Sequence, residues 1–255
     1  MYNITPKTLF VGRKIIYLPS CHSTNDQAAA VVRDNKAFEG TLVVTCNQTA
    51  GRGQRGNHWE AEAGKNLTFS LILKPVFLAA NEQFRLNIAI SLGIHEFINV
   101  YLSKTDTKIK WPNDLYHKDK KLGGVLIENS LKKYVLESSI VGIGLNINQT
   151  QFTEAKAISM KMASGQTDDY DLELLLTALA ETLESNYLLL ISGSWEVIKR
   201  RYLNHLYWYQ EDHVFCHDNQ YFSGRIVGID TAGRLALDLG QTLRYFSLKE
   251  ITFIE

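Results

Sequence analysis

Gln48-Thr49-Ala50-Gly51-Arg52-Gly53-Gln54-Arg55-Gly56-Asn57-His58-Trp59 is a glycine-rich, basic segment set between two apolar runs. Before it, residues 40–46 are apolar and β-branched, which predicts a buried strand. After it, Leu67, Phe69, Leu71 and Leu73 alternate with Thr68, Ser70 and Ile72, the two-residue period of a strand. The segment is therefore a loop joining two strands. It lacks the Gly-Lys-Ser/Thr of a P-loop and the helix-opening glycine pattern of a dinucleotide fold. That strand–loop–strand reading turns the chain away from a doubly wound fold.

The elements on either side agree. Residues 14–18 read as a strand, and 23–34 as a helix that Ser23, Thr24 or Asn25 can cap. Residues 83–102 carry apolar side chains on most turns and read as a well-buried helix. Residues 108–111 form a strand that enters a turn fixed by Pro112. Residues 114–117 pair with 122–128 across a turn at 118–121, and 134–147 supply a further strand pair or one long bent strand. Residues 171–191 are the clearest amphipathic helix, entered through Asp168, Asp169 and Asp171, which suit its positive end. A second helix covers 194–205. Beyond Tyr209 the pattern is all-β, with short strands over 212–216, 221–229, 234–239 and 243–247. Helices interrupt the strands without regular β-α-β alternation, so the fold class is α+β with a mixed sheet. The change near residues 207–211 divides the chain into 1–207 and a small barrel over 208–255.

Lysine plus arginine equal aspartate plus glutamate at 27 each, so no bulk field draws the chain to nucleic acid or anionic lipid. Three cysteines at irregular spacing, Cys21, Cys46 and Cys216, make neither a disulfide framework nor a zinc knuckle. Cys46 ends an apolar run and reads as core. The seven histidines show no metal-ligand spacing, and no serine sits in a nucleophile elbow. Residues 1–14 do not resemble a signal peptide, and no stretch approaches ~20 apolar residues. A cytoplasmic enzyme without a membrane partner is expected.

Residue chemistry singles out five places. Ser23-Thr24-Asn25 is a helix cap that can also hold polar groups towards a ligand. In the loop, Gly51, Gly53 and Gly56 allow close backbone approach, while Arg52 and Arg55 are fork-shaped donors suited to carboxylate and phosphate. A solvated hairpin with incidental arginines is the bland alternative. Lys110-Trp111-Pro112-Asn113-Asp114 puts a cation and a carboxylate across a rigid turn. Lys118, Lys120 and Lys121 are either a solvated charged turn or, at Lys121 before Leu122-Gly123-Gly124, a cation aimed at a ligand. In Gly142-Ile143-Gly144-Leu145-Asn146-Ile147-Asn148, alternating glycines weaken a strand unless something must approach it closely.

Together these motifs resemble the signature of biotin protein ligases, over nearly the whole chain from about residue 15. The resemblance implies a class II aminoacyl-tRNA synthetase-like catalytic domain, with a mixed sheet packed by helices, followed by an SH3-like barrel. It implies activation of biotin with ATP and Mg2+ to biotinyl-5′-AMP. Biotin would then pass to a lysine of the biotin carboxyl carrier domain of acetyl-CoA carboxylase or a related carboxylase. It places biotin against Ser23, Thr24, Asn25, Gln48, Gly51, Arg52, Gly53, Gln54, Lys121, Gly124 and Gly142. It places ATP against Arg52, Arg55, Asn57, Trp59, Lys110, Asn113 and Asn146. Lys110, Asp114 and Lys121 become the catalytic set, with Asp114 a candidate magnesium ligand. The expected assembly is a monomer or weak homodimer.

Gln54 departs from the family pattern, in which many members carry arginine. A lipoate–protein ligase would lack the Gly-Arg-Gly and Lys-Trp-Pro-Asn-Asp signatures. A biotin-sensing regulator needs a DNA-reading module, and the roughly 15–20 residues ahead of the catalytic-type sequence cannot build one; no nucleic-acid partner is expected. Lys110, Asp114 and Lys121 argue against a silent biotin-binding protein.

Overall fold

The computed structural model describes residues 2, 4–104, 106–248 and 250–254, with the backbone alone at position 55. Its elements are β1 (Ile15–Cys21), α1 (Thr24–Arg33), β2 (Thr41–Gln48), β3 (Leu67–Leu73), α2 (Gln83–Tyr101), β4 (Thr107–Lys110), β5 (Asp114–His117), β6 (Lys120–Lys132) and β7 (Val135–Leu145). Then come α3 (Met160–Ser164), α4 (Leu172–Ile191), α5 (Trp195–Asn204), β8 (Asp212–His217), β9 (Gln220–Ile229), β10 (Leu235–Asp238), β11 (Leu243–Phe246) and β12 (Thr252–Phe253). A seven-stranded sheet has the order β1-β2-β3-β7-β6-β5-β4. It is mixed, because β1 and β2 run parallel across the α1 crossover while the other pairs are antiparallel. A five-stranded antiparallel sheet, β11-β10-β9-β8-β12, follows.

Strand β3 shows how the fold prepares a site. All seven of its residues are buried, although Thr68 and Ser70 among them are polar. Leu67, Phe69, Leu71 and Leu73 face the main core under α2 and α4. On the other face, Ile72 joins Val43, Ile140 and Ala28 beneath α1. Thr68 and Ser70 occupy the same strand without joining that apolar cluster. A polar strip between two apolar layers must find internal partners or a ligand.

Several sequence expectations narrow or change. Of the two readings of residues 134–147, the structure has the single long strand, β7 (Val135–Leu145), and not the pair. Cys46 is half-buried rather than core, because the β2–β3 pairing ends at Thr45 and leaves it beyond the covered sheet. Ser23 is the N-cap residue of α1 but makes no side-chain cap bond. At the start of α4, Asp171 accepts from the Glu173 and Leu174 N–H groups, whereas Asp169 pairs with Lys65 and Lys161. By length and composition α4 could cross a membrane. Half of it is buried in the protein, and its buried leucines belong to the core shared with α2.

Candidate active site

A cavity of about 900 Å³ opens where α1, the loop after β2, and strands β3, β5, β6 and β7 meet. Ser23, Thr24, Asn25, Gln48, Arg52, Gly53, Gln54, Asn57, Trp59, Lys110, Asp114, Lys121, Gly124, Gly142 and Asn146 all line it. Residues from positions 23 to 146 thus converge on one space. Gly51 lines a smaller neighbouring recess, and Asn113 lies behind the wall. The Arg55 side chain lies outside the described residues.

The inner wall is built from polar groups that hold one another. The Thr24 N–H donates to Gln48 Oε1 at 2.9 Å. The Ser70 hydroxyl lies 2.8 Å from Thr24 Oγ1 and 2.6 Å from Asn25 Oδ1. Asn25 Nδ2 donates to Glu128 Oε2 at 2.7 Å. Because Ser23 makes no cap bond, this triplet is fastened sideways to the sheet rather than along its helix. Gly142 faces the Asn25 carboxamide so closely that a Cβ there would collide with it. A Cβ at Gly144 would run into the Trp59 indole. Both glycines are therefore explained by close approach, as the weakened strand suggested.

The loop folds back on itself. Gly53 N–H donates to Asn57 O at 2.7 Å, and Trp59 N–H to Gly51 O at 2.9 Å, around a single turn at Gln54–Gly56. Among its three glycines only Gly56 has positive φ, at 84°. Gly51 is instead a matter of space, since a Cβ would strike the Trp59 carbonyl. Arg52 pairs with Asp26 at 2.7 Å and Glu128 at 3.1 Å while its side chain stays 43% exposed. Gln54 Nε2 donates to Asn113 Oδ1 at 2.7 Å.

Cations gather on the opposite side. Lys121 Nζ lies 2.8 Å from Asp114 Oδ2 and 5.9 Å from the Trp59 ring centre. Lys110 Nζ lies 3.3 Å from Tyr116 Oη and 5.0 Å from the Phe253 ring centre. Trp59 Nε1 and Asn146 Oδ1 are buried polar atoms without a protein partner. In a cavity wall such orphans mark where a ligand can hydrogen-bond. Among the described residues no three His, Cys, Asp or Glu side chains cluster to hold a metal.

Sequence reasoning missed two parts of the lining. Phe152, Thr153, Glu154 and Ala157 form one, tied to the site where Lys121 N–H donates to Lys156 O at 2.6 Å. Leu248, Ile251, Thr252 and Phe253 form the other, around a two-residue strand. Neither carries a periodic pattern. Glu128 and Ser70 were also missed, because a charge or hydroxyl in a strand has no signature of its own.

Comparison with known proteins agrees with this geometry. Residues 17–146 match the sequence profile of the Biotin/lipoate A/B protein ligase family. The Bifunctional ligase/repressor BirA of Bacillus subtilis (strain 168) is 30% identical over 244 residues, covering 93% of this chain and 73% of that protein. The Biotin--[acetyl-CoA-carboxylase] ligase of Mycobacterium tuberculosis is 28% identical over 139 residues, covering 54% of this chain and 50% of that one. In fold, the chain resembles the biotin protein ligase from Aquifex aeolicus solved with biotin and ATP. The TM-score is 0.77 at 24% identity, over 94% of this chain and 98% of that one.

Proposed function

Since the chain belongs to the Biotin/lipoate A/B protein ligase family, we propose that it is a biotin–protein ligase whose reaction centre is the cavity described above. A biotin carboxylate oxygen attacks the α-phosphorus of ATP, the bond to the β-phosphate breaks, and pyrophosphate leaves. The ε-amine of a target lysine then attacks the acyl carbon of biotinyl-5′-AMP. An amide forms, AMP departs, and the amine loses its proton.

The observation that carries this reading is the convergence of the loop, the Lys110–Asp114 turn and the Lys121 hairpin on one cavity with unpartnered polar atoms. Ser23, Thr24, Asn25, Gln48 and Gly142 form the biotin end, where preorganised amides and hydroxyls suit a neutral, polar ring. Arg52, Asn57, Trp59 and Asn146 face the adenylate. Lys110 and Lys121 offset charge developing on the α-phosphate, the kind of fixed electrostatic support that needs no reorganisation during reaction. Asp114 holds Lys121 towards that charge. Asp114 is the carboxylate that would hold a magnesium ion entering with ATP, and the ion would supply positive charge to the phosphates. The loop keeps water from the reactive anhydride.

The five-stranded sheet is read as an SH3-like barrel and residues 208–255 as a second domain, with residues 1–207 as the catalytic one. The acceptor is a biotin carboxyl carrier domain of a carboxylase. The chain acts in the cytoplasm as a monomer or weak homodimer, without nucleic acid or membrane. The test is to mix the protein with biotin, ATP-Mg and a carrier domain and look for a mass gain on one lysine. A gain with lipoate and none with biotin would overturn the reading.

A further inference from the structure

Asn113 sits in the most distinctive motif of the sequence yet does not reach the cavity, and its side chain is buried. Its carboxamide is engaged in both directions. Nδ2 donates to Val125 O at 3.0 Å and to Asn87 Oδ1 at 2.9 Å, while Oδ1 accepts from Gln54 Nε2 at 2.7 Å. Gln54 Nε2 also lies 3.3 Å from Val125 O. Asn87 Nδ2 in turn donates to Pro112 O at 3.0 Å, an oxygen shared with the Tyr202 hydroxyl at 2.9 Å.

The orientation of every amide in this chain follows from its fixed ends. Main-chain carbonyls can only accept. Pro112 O therefore requires the NH2 of Asn87, which turns the Asn87 carbonyl to Asn113. Val125 O and Asn87 Oδ1 together require the NH2 of Asn113. Only the Asn113 carbonyl remains for the loop, so position 54 must supply a donor. Glutamine does so, and so would the arginine of many relatives; a carboxylate would not.

The loop's other fastening is different in kind. Arg52 reaches Asp26 and Glu128 on a half-exposed surface, where salt screens the attraction. The Gln54–Asn113 bond is neutral and backed by a buried residue.

We propose that Asn113 is a positioning residue that latches the glycine-rich loop closed through Gln54, with Asn87 fixing the direction of the latch. This rests on the proposed function only for its consequence, that opening the latch frees the adenylate. The latch itself is readable without substrate.

Hydrogen exchange of the peptide spanning residues 49–62, in the ligand-free chain, reads it directly. Gln54→Glu should raise exchange of the loop amides by about tenfold, with exchange in β6 and β7 unchanged as the control for folding. Gln54→Arg should keep the protection. Asn87→Leu should raise loop exchange without touching the loop. Equal exchange for Gln54→Glu and wild type would overturn the latch, as would Gln54→Arg exchanging as fast as Gln54→Glu. A chase of biotinyl-5′-AMP formed in place should then show faster release from Gln54→Glu. If wild type forms no adenylate while the exchange pattern holds, the proposed function fails and the latch stands.

Discussion

On its inner wall the cavity is closed by groups whose partners all lie within the protein: Thr24 on Gln48, Asn25 between Ser70 and Glu128, Gly142 against the Asn25 amide. On its outer wall the loop around Arg52 and the stretch near Thr153 are more exposed, held by ion pairs and a few side-chain bonds. A preorganised wall favours recognition of one ring system at little ordering cost, whereas a lightly fastened wall can admit two substrates and release a product. The cations, Lys110 on β4 and Lys121 on β6, face the cavity from the opposite side, and they carry the largest expected effect. Lys121→Ala should slow adenylate formation by about 10²–10³, the usual loss for one preorganised donor to developing charge. Pyrophosphate exchange measures it, and a near-normal rate would make Lys121 a solvated lysine.

At the other end of the seven-stranded sheet, the core beside β4 contains a buried histidine. His95 Nε2 lies 3.0 Å from the Thr107 carbonyl, and its ring centre is 4.3 Å from that of His205. Burial first, then the neighbouring His205, lowers its pKa from 6.5 to about 4. The native state therefore excludes a proton that the unfolded chain binds below pH 6.5. The stability tied to neutral His95 is present above that pH and is lost as pH falls towards 4, up to about 3 kcal/mol. Urea midpoints measured between about pH 7 and 5 should fall steadily. His95→Asn should flatten the slope, and a level profile in wild type would rule out this proton linkage.

Much of this organisation was legible in the sequence, and the parts that were not share a cause. Gly142 and Gly144 stood out because glycine weakens the strand they occupy, and the loop and Lys110–Asp114 because each gathers unusual residue types in a few positions. Strands β2 and β3 and helix α4 stood out because apolar periodicity is a property of a single element. The Gln54–Asn113–Asn87 chain involves residues 59 and 26 positions apart, each an ordinary amide until the sheet brings them together. Strand β12 is two residues long and has no period to read. Cys46 was misjudged because its burial depends on where a neighbouring strand stops pairing, which composition does not encode.

The inner wall can be tested where it is tightest. Gly142→Ala places a methyl against an Asn25 carboxamide that Ser70 and Glu128 both hold, so Asn25 has little room to yield. Overpacking of this kind costs about 1–3 kcal/mol, and here it should appear chiefly as weaker biotin affinity measured by titration calorimetry. Unchanged affinity would show that the wall is as adaptable as the loop.

The outer wall should show the smallest effect on stability. Arg52 makes two ion pairs, but 43% of its side chain and comparable fractions of Asp26 and Glu128 are exposed. Exposed pairs of this type contribute about 0–1 kcal/mol, so Arg52→Gly should shift the urea midpoint very little. The same substitution frees the loop from α1 and β6, the two places where Arg52 anchors it. Release of biotinyl-5′-AMP should therefore quicken by about tenfold or more, since affinity differences of this kind fall mainly on the off-rate. Raising salt should quicken release more from wild type than from Arg52→Gly, because the Arg52 ion pairs that salt screens are present only in wild type. Equal release rates for the two proteins at low salt would mean that the loop is held by its neutral contacts alone, and the contrast between the two walls would then lie in their exposure and not in their charges.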